Sequence, residues 1–311
     1  MSGLAFATFA RADAPEGVRL LSRFSGVSKS VLKASPKSVA ALRSTTDSEA
    51  PESAVIEYQA LKNLPHVATL RYSLPESVCE PDERTLVTDT TQVPFVSNCL
   101  LLIKVPGGSA RGTGWLAGPR LVVTAGHCVH EGAGGDFFTE IEVIPGAFVE
   151  KVNGVDVLRK PFGSKKIAAS KLRTTEEWKA TGQVARDYGA LLLPEEFRRS
   201  NGGALETIDF GVVSDSALIT SELTVSGYPG DKPTGMQWQN SGVPVDVQPD
   251  RLHYMIDTYG GESGSAVTRK VSGKVQAVGI HNYGGCPNKC TRITAAVETN
   301  LKKWRDESTA H

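Results

Sequence analysis

Three short stretches carry side chains that could do acyl-transfer chemistry. Residues 124–129 read Thr-Ala-Gly-His-Cys-Val and follow the apolar run Leu121-Val122-Val123, so His127 ends a strand-like segment among small neighbours. An imidazole there can act as a general base if partners reach it. Residues 261–265 read Gly-Glu-Ser-Gly-Ser. Small residues around Ser263 let the backbone bend sharply, expose the hydroxyl and aim consecutive N–H groups at one spot where an oxyanion could form. Asp187 stands at the mouth of the apolar segment Tyr188–Leu193. A carboxylate buried there is costly unless hydrogen-bonded, and an imidazole N–H is a suitable donor. Each piece alone has a plainer reading: a turn, a strand cap, a structural histidine.

Taken together, His127, Asp187 and Ser263 follow the chain order of chymotrypsin-like enzymes, not that of subtilisins or α/β-hydrolases. Ser263 is also no nucleophile elbow. The second glycine of that motif is replaced by Ser265, and no helical pattern follows.

Elements must bring these residues together. From Val93 onward the chain is a series of short β-type runs separated by Gly and Pro: Cys99–Val105, Thr113–Ala117, Arg120–Ala125, Ile141–Ile144 and Tyr188–Leu193. A second series comprises Leu218–Gly227, Leu252–Asp257, Ser265–Arg269, Val275–Ile280 and Thr291–Thr294. Two such series predict an all-β fold of two antiparallel β-barrels. The end, Ala295–Ser308, places Val297, Leu301 and Trp304 at helical spacing and reads as an amphipathic helix. The expected organisation is a poorly ordered Ser- and Lys-rich leader over 1–76, a first barrel over 77–200, and a second barrel with the helix over 201–308.

The 311 residues include 34 basic and 34 acidic side chains, so the formal charge cancels. No basic cluster is interleaved with aromatics, which gives no footprint for nucleic acid. No apolar run approaches the roughly 20 residues of a spanning helix, and no membrane partner is expected. The N-terminus holds an apolar run over 4–10 without a preceding Lys or Arg. It is at best an atypical export signal within 1–14. Cys286 and Cys290 flank the turn sequence Pro-Asn-Lys, which predicts a small disulfide loop. They lack two further ligands nearby, so no zinc site, other metal or cofactor is expected. Disulfides imply an oxidising setting, extracellular or periplasmic. His66, His130, His253 and His311 show no ligand spacing and read as surface residues.

Several stretches are similar to the bacterial glutamyl endopeptidases of the Bacillus and staphylococcal V8 type. They are 225–232 (Val-Ser-Gly-Tyr-Pro-Gly-Asp-Lys), 237–242 (Gln-Trp-Gln-Asn-Ser-Gly), 257–261 (Asp-Thr-Tyr-Gly-Gly) and 291–294 (Thr-Arg-Ile-Thr), while 114–119 (Gly-Trp-Leu-Ala-Gly-Pro), leading to 124–128, resembles the first-barrel signature of chymotrypsin-fold serine peptidases more generally. The resemblance spans roughly 77–306 and implies a chymotrypsin-type fold. It also implies a secreted serine endopeptidase acting on protein and peptide substrates, expected to be a monomer. In it His127, Asp187 and Ser263 form the triad, and the N–H groups of Gly261 and Ser263 form the oxyanion hole.

Asp257 lies six residues before Ser263, where trypsin-like enzymes hold the carboxylate that recruits Lys or Arg. The family resembled here carries an Asp at that place and yet cuts after Glu, and to a lesser extent after Asp. Its acidic side chain is held by a histidine and a threonine hydroxyl at the positions of His281 and Thr258. A binding protein on the same fold is the remaining alternative. The resemblance further implies maturation between Glu76 and Ser77, since family members begin near a Ser-Val pair ahead of Asp-x-Arg-Thr, here residues 82–85. It pairs the cysteine after the catalytic histidine with one about fifteen residues earlier, where this chain has Gly112. That leaves Cys128 to pair with Cys99, and Cys79 without an assigned partner. Glu262 replaces a residue that in animal enzymes is Asp, which leaves it either an organiser of the oxyanion turn or a solvent-facing side chain.

Overall fold

A computed structural model describes residues 58, 59, 61, 62, 64, 65 and 77–310, all within one compact unit of the chain. Expectations for 1–57, including the export signal, and for Glu76, His66 and His311 lie outside the described residues.

A short strand, β1 (Thr85–Leu86), leads the body. The first sheet contains β2 (Asn98–Val105), β3 (Gly108–Gly118), β4 (Leu121–Thr124) and β5 (Glu140–Pro145). A separate hairpin of β6 (Phe148–Val152) and β7 (Val155–Arg159) follows. Then come β8 (Lys165–Ala168), β9 (Leu172–Thr174) and β10 (Gly189–Leu192). Pairing is antiparallel in the order β8-β5-β2-β3-β4-β10-β9. The two edge strands, β8 and β9, are joined by the three residues Ala169–Lys171. At 3.8 Å per Cα step, that link forces the edges together and curls the sheet into a barrel.

The second sheet contains β11 (Asp209–Phe210), β12 (Leu223–Gly227), β13 (Trp238–Gly242) and β14 (Pro244–Val247). It continues with β15 (Arg251–Tyr254), β16 (Ala266–Val271), β17 (Lys274–Tyr283) and β18 (Asn288–Arg292). The order is β1-β13-β12-β16-β17-β18-β15-β14, with β11 pairing parallel to β17. Only Val243 separates β13 from β14, near opposite ends of that order, so this sheet curls as well.

Each barrel has its own core. Cys99, Leu101, Ile103, Val122 and Leu191 fill the first, and Leu223, Val225, Leu252, Val267 and Val278 fill the second. A third cluster joins Trp115, Leu121 and Tyr188 to Ile208, Ile280 and Leu301, and it glues the barrels to each other and to the C-terminal helix. That helix runs Ala295–Thr309 and buries Val297, Leu301 and Trp304, as its spacing predicts. Thr294 caps it, its hydroxyl accepting from Val297 N at 3.4 Å.

Some boundaries differ from expectation. Leu218 ends a four-residue helix capped by Ser214, and the strand expected from 218 begins at Leu223. The last strand stops at Arg292 because Thr294 serves as the helix cap. A six-residue helix, Glu176–Thr181, capped by Thr175, is too short to show a periodic signal. His130, expected at the surface, is buried: its Nδ1 accepts from Gly132 N at 2.9 Å, and its carbonyl accepts from Trp178 Nε1 at 3.2 Å.

Candidate active site

Strand register places the acid beside the base. β10 runs antiparallel to β4 with Gly189 opposite Thr124, so continuing two residues along each strand sets Asp187 opposite Gly126. A Cβ on Gly126 would fall 2.9 Å from Asp187 Oδ1, which is why only glycine lets the carboxylate approach. The 3₁₀ turn Gly126–Cys128 then aims His127 at the acid. Asp187 Oδ1 accepts from His127 N at 2.8 Å, and Oδ2 lies 2.7 Å from His127 Nδ1. Asp187 is fully buried at 0% exposure, and Asn282 Nδ2 donates to its carbonyl at 3.0 Å. Burial works against charging the His127 ring, and the Asp187 carboxylate outweighs it, so the imidazole pKa is held well above the usual range.

The serine turn belongs to the second barrel but is pressed onto the first. Ser263 O accepts from Thr113 N at 2.9 Å and from the Cys128 thiol at 3.6 Å, so it abuts the residue next to His127. Gly264 has φ +91°, and a Cβ there would sit 2.1 Å from both Thr113 O and Thr124 Oγ1. Gly261 has φ +108°, and its carbonyl accepts from Thr113 Oγ1 at 2.8 Å. Backbone in this region favours glycine. Glu262 does not face solvent: it is buried and accepts from Tyr259 N at 2.9 Å, bracing its own turn.

The expected substrate residues flank this turn. Thr258 Oγ1 is buried with no hydrogen-bond partner among the described residues, and so is His281 Nε2. His281 O accepts from Gly264 N at 2.7 Å, tying its strand to the serine turn. Its Nδ1 lies 2.6 Å from the Tyr254 hydroxyl. Burial first, and the charge of His127 second, lower the His281 pKa to about 3, so this ring is neutral.

Asp257 is already engaged. Its carboxylate accepts from Cys79 N at 2.7 Å, Glu83 N at 2.8 Å and Asn240 Nδ2 at 3.1 Å. Asn288 holds the same N-terminal segment: Oδ1 accepts from Ser77 N at 3.0 Å, and Nδ2 donates to Ser77 O at 2.6 Å. Thr258 N also donates to Ser77 O, at 3.3 Å. Sequence reasoning missed Asn288 and Tyr254, which carry no motif, and it assigned no partner to Cys79.

Cys79 corrects the disulfide expectations. It is bonded to Cys286, with Cα atoms 5.7 Å apart, and Cys286 is not bonded to Cys290. Cys290 lies within β18 opposite Leu252 and points into the second core, whereas Cys286 lies on the preceding loop. Cys99 and Cys128 are not paired either. Both are buried thiols, directed at Ser97 O and Ser263 O respectively. Among the described residues, no three His, Cys, Asp or Glu side chains converge as a metal site.

Comparison with known proteins follows the same lines. Residues 112–280 match the trypsin-like peptidase domain family. The chain is 35% identical over 247 residues to a glutamyl endopeptidase of Bacillus licheniformis, covering 76% of this chain and 71% of that protein. It is 32% identical over 237 residues to an extracellular metalloprotease of Bacillus subtilis, covering 75% and 71%. A solved structure of a Glu endopeptidase in complex with MPD aligns with a TM-score of 0.60 at 26% identity, covering 74% of this chain and 99% of that one.

Proposed function

Because the chain belongs to the trypsin-like peptidase family, among relatives of the glutamyl endopeptidases, and is a serine endopeptidase, we propose that His127, Asp187 and Ser263 are its triad and that it cuts after glutamate. The two-point contact between His127 and Asp187, at 2.8 and 2.7 Å, is the observation that carries the triad. Asp187 fixes the ring so that Nδ1 bears the hydrogen and Nε2 faces the nucleophile. Ser263 Oγ attacks the scissile carbonyl while Nε2 takes its proton. The oxyanion is held by the N–H groups of Gly261 and Ser263, each such donor stabilising the transition state by about 3 kcal/mol. Nε2 then protonates the leaving amine, and water repeats the sequence on the acyl-enzyme.

Thr258 and His281 support the choice of glutamate. In this reading the Tyr254 hydroxyl donates to His281 Nδ1, so Nε2 carries the ring hydrogen. That N–H and the Thr258 hydroxyl then donate to the substrate carboxylate, where bonds to a charged acceptor are the strong kind. The competing Lys/Arg reading needs a receptive Asp257, whose three hydrogen bonds already serve the 79–83 segment and the Asn240 side chain.

Maturation between Glu76 and Ser77 would be a cut after the preferred residue. The clasp of Ser77 by Asn288, next to Thr258, supports it by setting the new ammonium beside the pocket proposed for the acidic side chain. Secretion is supported by the Cys79–Cys286 disulfide. Matched chromogenic peptides ending in Glu, Asp or Arg test the specificity. The processed enzyme should prefer Glu over Arg by at least about a hundredfold, the scale on which an unpaired buried polar group penalises the wrong partner. Preference for Arg would contradict the reading.

A further inference from the structure

Leader residues are built into the catalytic body. Tyr58 is 1% exposed and packs with Leu100 and Leu102 of β2, Ile144 of β5, Leu158 of β7 and Tyr228. Leu61 and Leu64 lie against the edge of this cluster, so Tyr58, Leu61 and Leu64 recur every three residues along one side of the segment. Leu100 and Leu102 alternate along β2 with Cys99, Leu101 and Ile103, which fill the barrel core. They therefore form an outward apolar face, and a contiguous bare face of that kind is unusual on a soluble protein.

Polar contacts fix the same segment. One turn is closed by Lys62 N donating to Tyr58 O at 2.9 Å. Leu61 O accepts from Thr234 Oγ1 at 2.9 Å, and Pro65 O accepts from Arg111 N at 2.9 Å. The buried Arg111 guanidinium donates to Thr234 Oγ1 and to Gly230 O, each at 2.5 Å. Gly230 N in turn donates to Gly260 O at 2.6 Å, immediately ahead of the proposed oxyanion glycine.

We propose that residues 58–65 are a docking ligand of the catalytic body, and that the leader stays bound through them as a second, non-covalent chain after cleavage. The outward face of β2, capped by Tyr228 and the β6–β7 hairpin, is its receptor. The bound leader also braces the loop that supports Gly260. This rests on the maturation site proposed above, and the test separates the two.

A Ser263→Ala chain, unable to cut itself, receives the recognition sequence of an unrelated protease after Glu76. It is cleaved there and passed through size exclusion in native buffer, with both fragments identified by mass. Co-elution of the leader with the body in equal amounts is expected. Tyr58→Ala should weaken retention by about a hundredfold, the loss expected for truncating a fully buried aromatic side chain. Because that substitution lies in the leader, the cooperative melting of the isolated body checks that the receptor is folded. A leader that elutes apart from a folded body overturns the proposal. Separately, N-terminal sequencing of self-processed wild-type chain reads the maturation site: a start other than Ser77 with the leader retained removes that site and leaves the docking intact.

Discussion

His127 must be neutral at Nε2 to take a proton, yet its neighbours favour the charged ring. Burial opposes charging, Asp187 outweighs it, and the pKa stands well above the ordinary 6.5. Activity should therefore fall as pH drops through that raised value, with the limb of kcat/KM lying above 6.5. Asp187→Asn removes the favouring charge and keeps the burial, so the limb should move toward acid. The wrong tautomer should also cost about 10⁴-fold in kcat, the figure known for the same substitution in the chymotrypsin-type triad. A pH–rate profile of both forms checks this, and an unmoved limb would contradict it.

His281 is the opposite case, neutral throughout the working range because its pKa is lowered to about 3. Tyr254→Phe removes the hydroxyl 2.6 Å from Nδ1 and should raise KM for Glu peptides about tenfold with kcat nearly unchanged. A general loss of structure would instead lower kcat for every substrate. The three residues of the proposed triad, His127, Asp187 and Ser263, stand out in the sequence because small residues and apolar strands frame each of them. Tyr254 and Asn288 could not, because an ordinary strand residue acquires its partner only when distant strands pair.

At the scale of elements, the first barrel has room for a cross-link between β3 and the turn that carries His127. A Cβ on Gly112 of β3 would lie 2.9 Å from Cys128 Sγ, about the separation of a Cβ from the far sulfur in a disulfide. Gly112→Cys should thus form a bond to Cys128 and stabilise the chain by about 3 kcal/mol, as expected for closing a loop of this size. Thermal melting with and without reductant measures it, and equal melting temperatures would count against the geometry. Strands β2, β4 and β10 were readable as continuous apolar runs since nearly all their residues are buried. The β6–β7 hairpin and β13 were not, because they are mostly half-exposed and mix polar with apolar residues. The 218–227 stretch misled because the apolar pair Leu218-Ile219 at the end of a short helix precedes the strand from Leu223 with only Thr-Ser-Glu between them.

At the scale of the whole molecule, one covalent bond ties positions 207 residues apart. Spacing along the chain favoured Cys286 with Cys290, but facing, not proximity in sequence, decides a disulfide. The five cysteines should therefore yield no fast-reacting thiol in the native chain and three after unfolding. Burial supports this for Cys290, whose thiol is pushed up to about 12, and it raises Cys99 as well. Titration with a thiol reagent before and after denaturation gives the count, and peptide mapping should recover Cys79 joined to Cys286.

The central claim is that two barrels, each built around its own core, meet so that one hydroxyl becomes a nucleophile. Its most direct test is covalent: the processed enzyme is treated with an organofluorophosphate, digested and mapped by mass spectrometry. One adduct per molecule on Ser263, lost with peptidase activity in His127→Ala, is the predicted result. A chain that hydrolyses Glu peptides while Ser263 stays unlabelled would contradict the account.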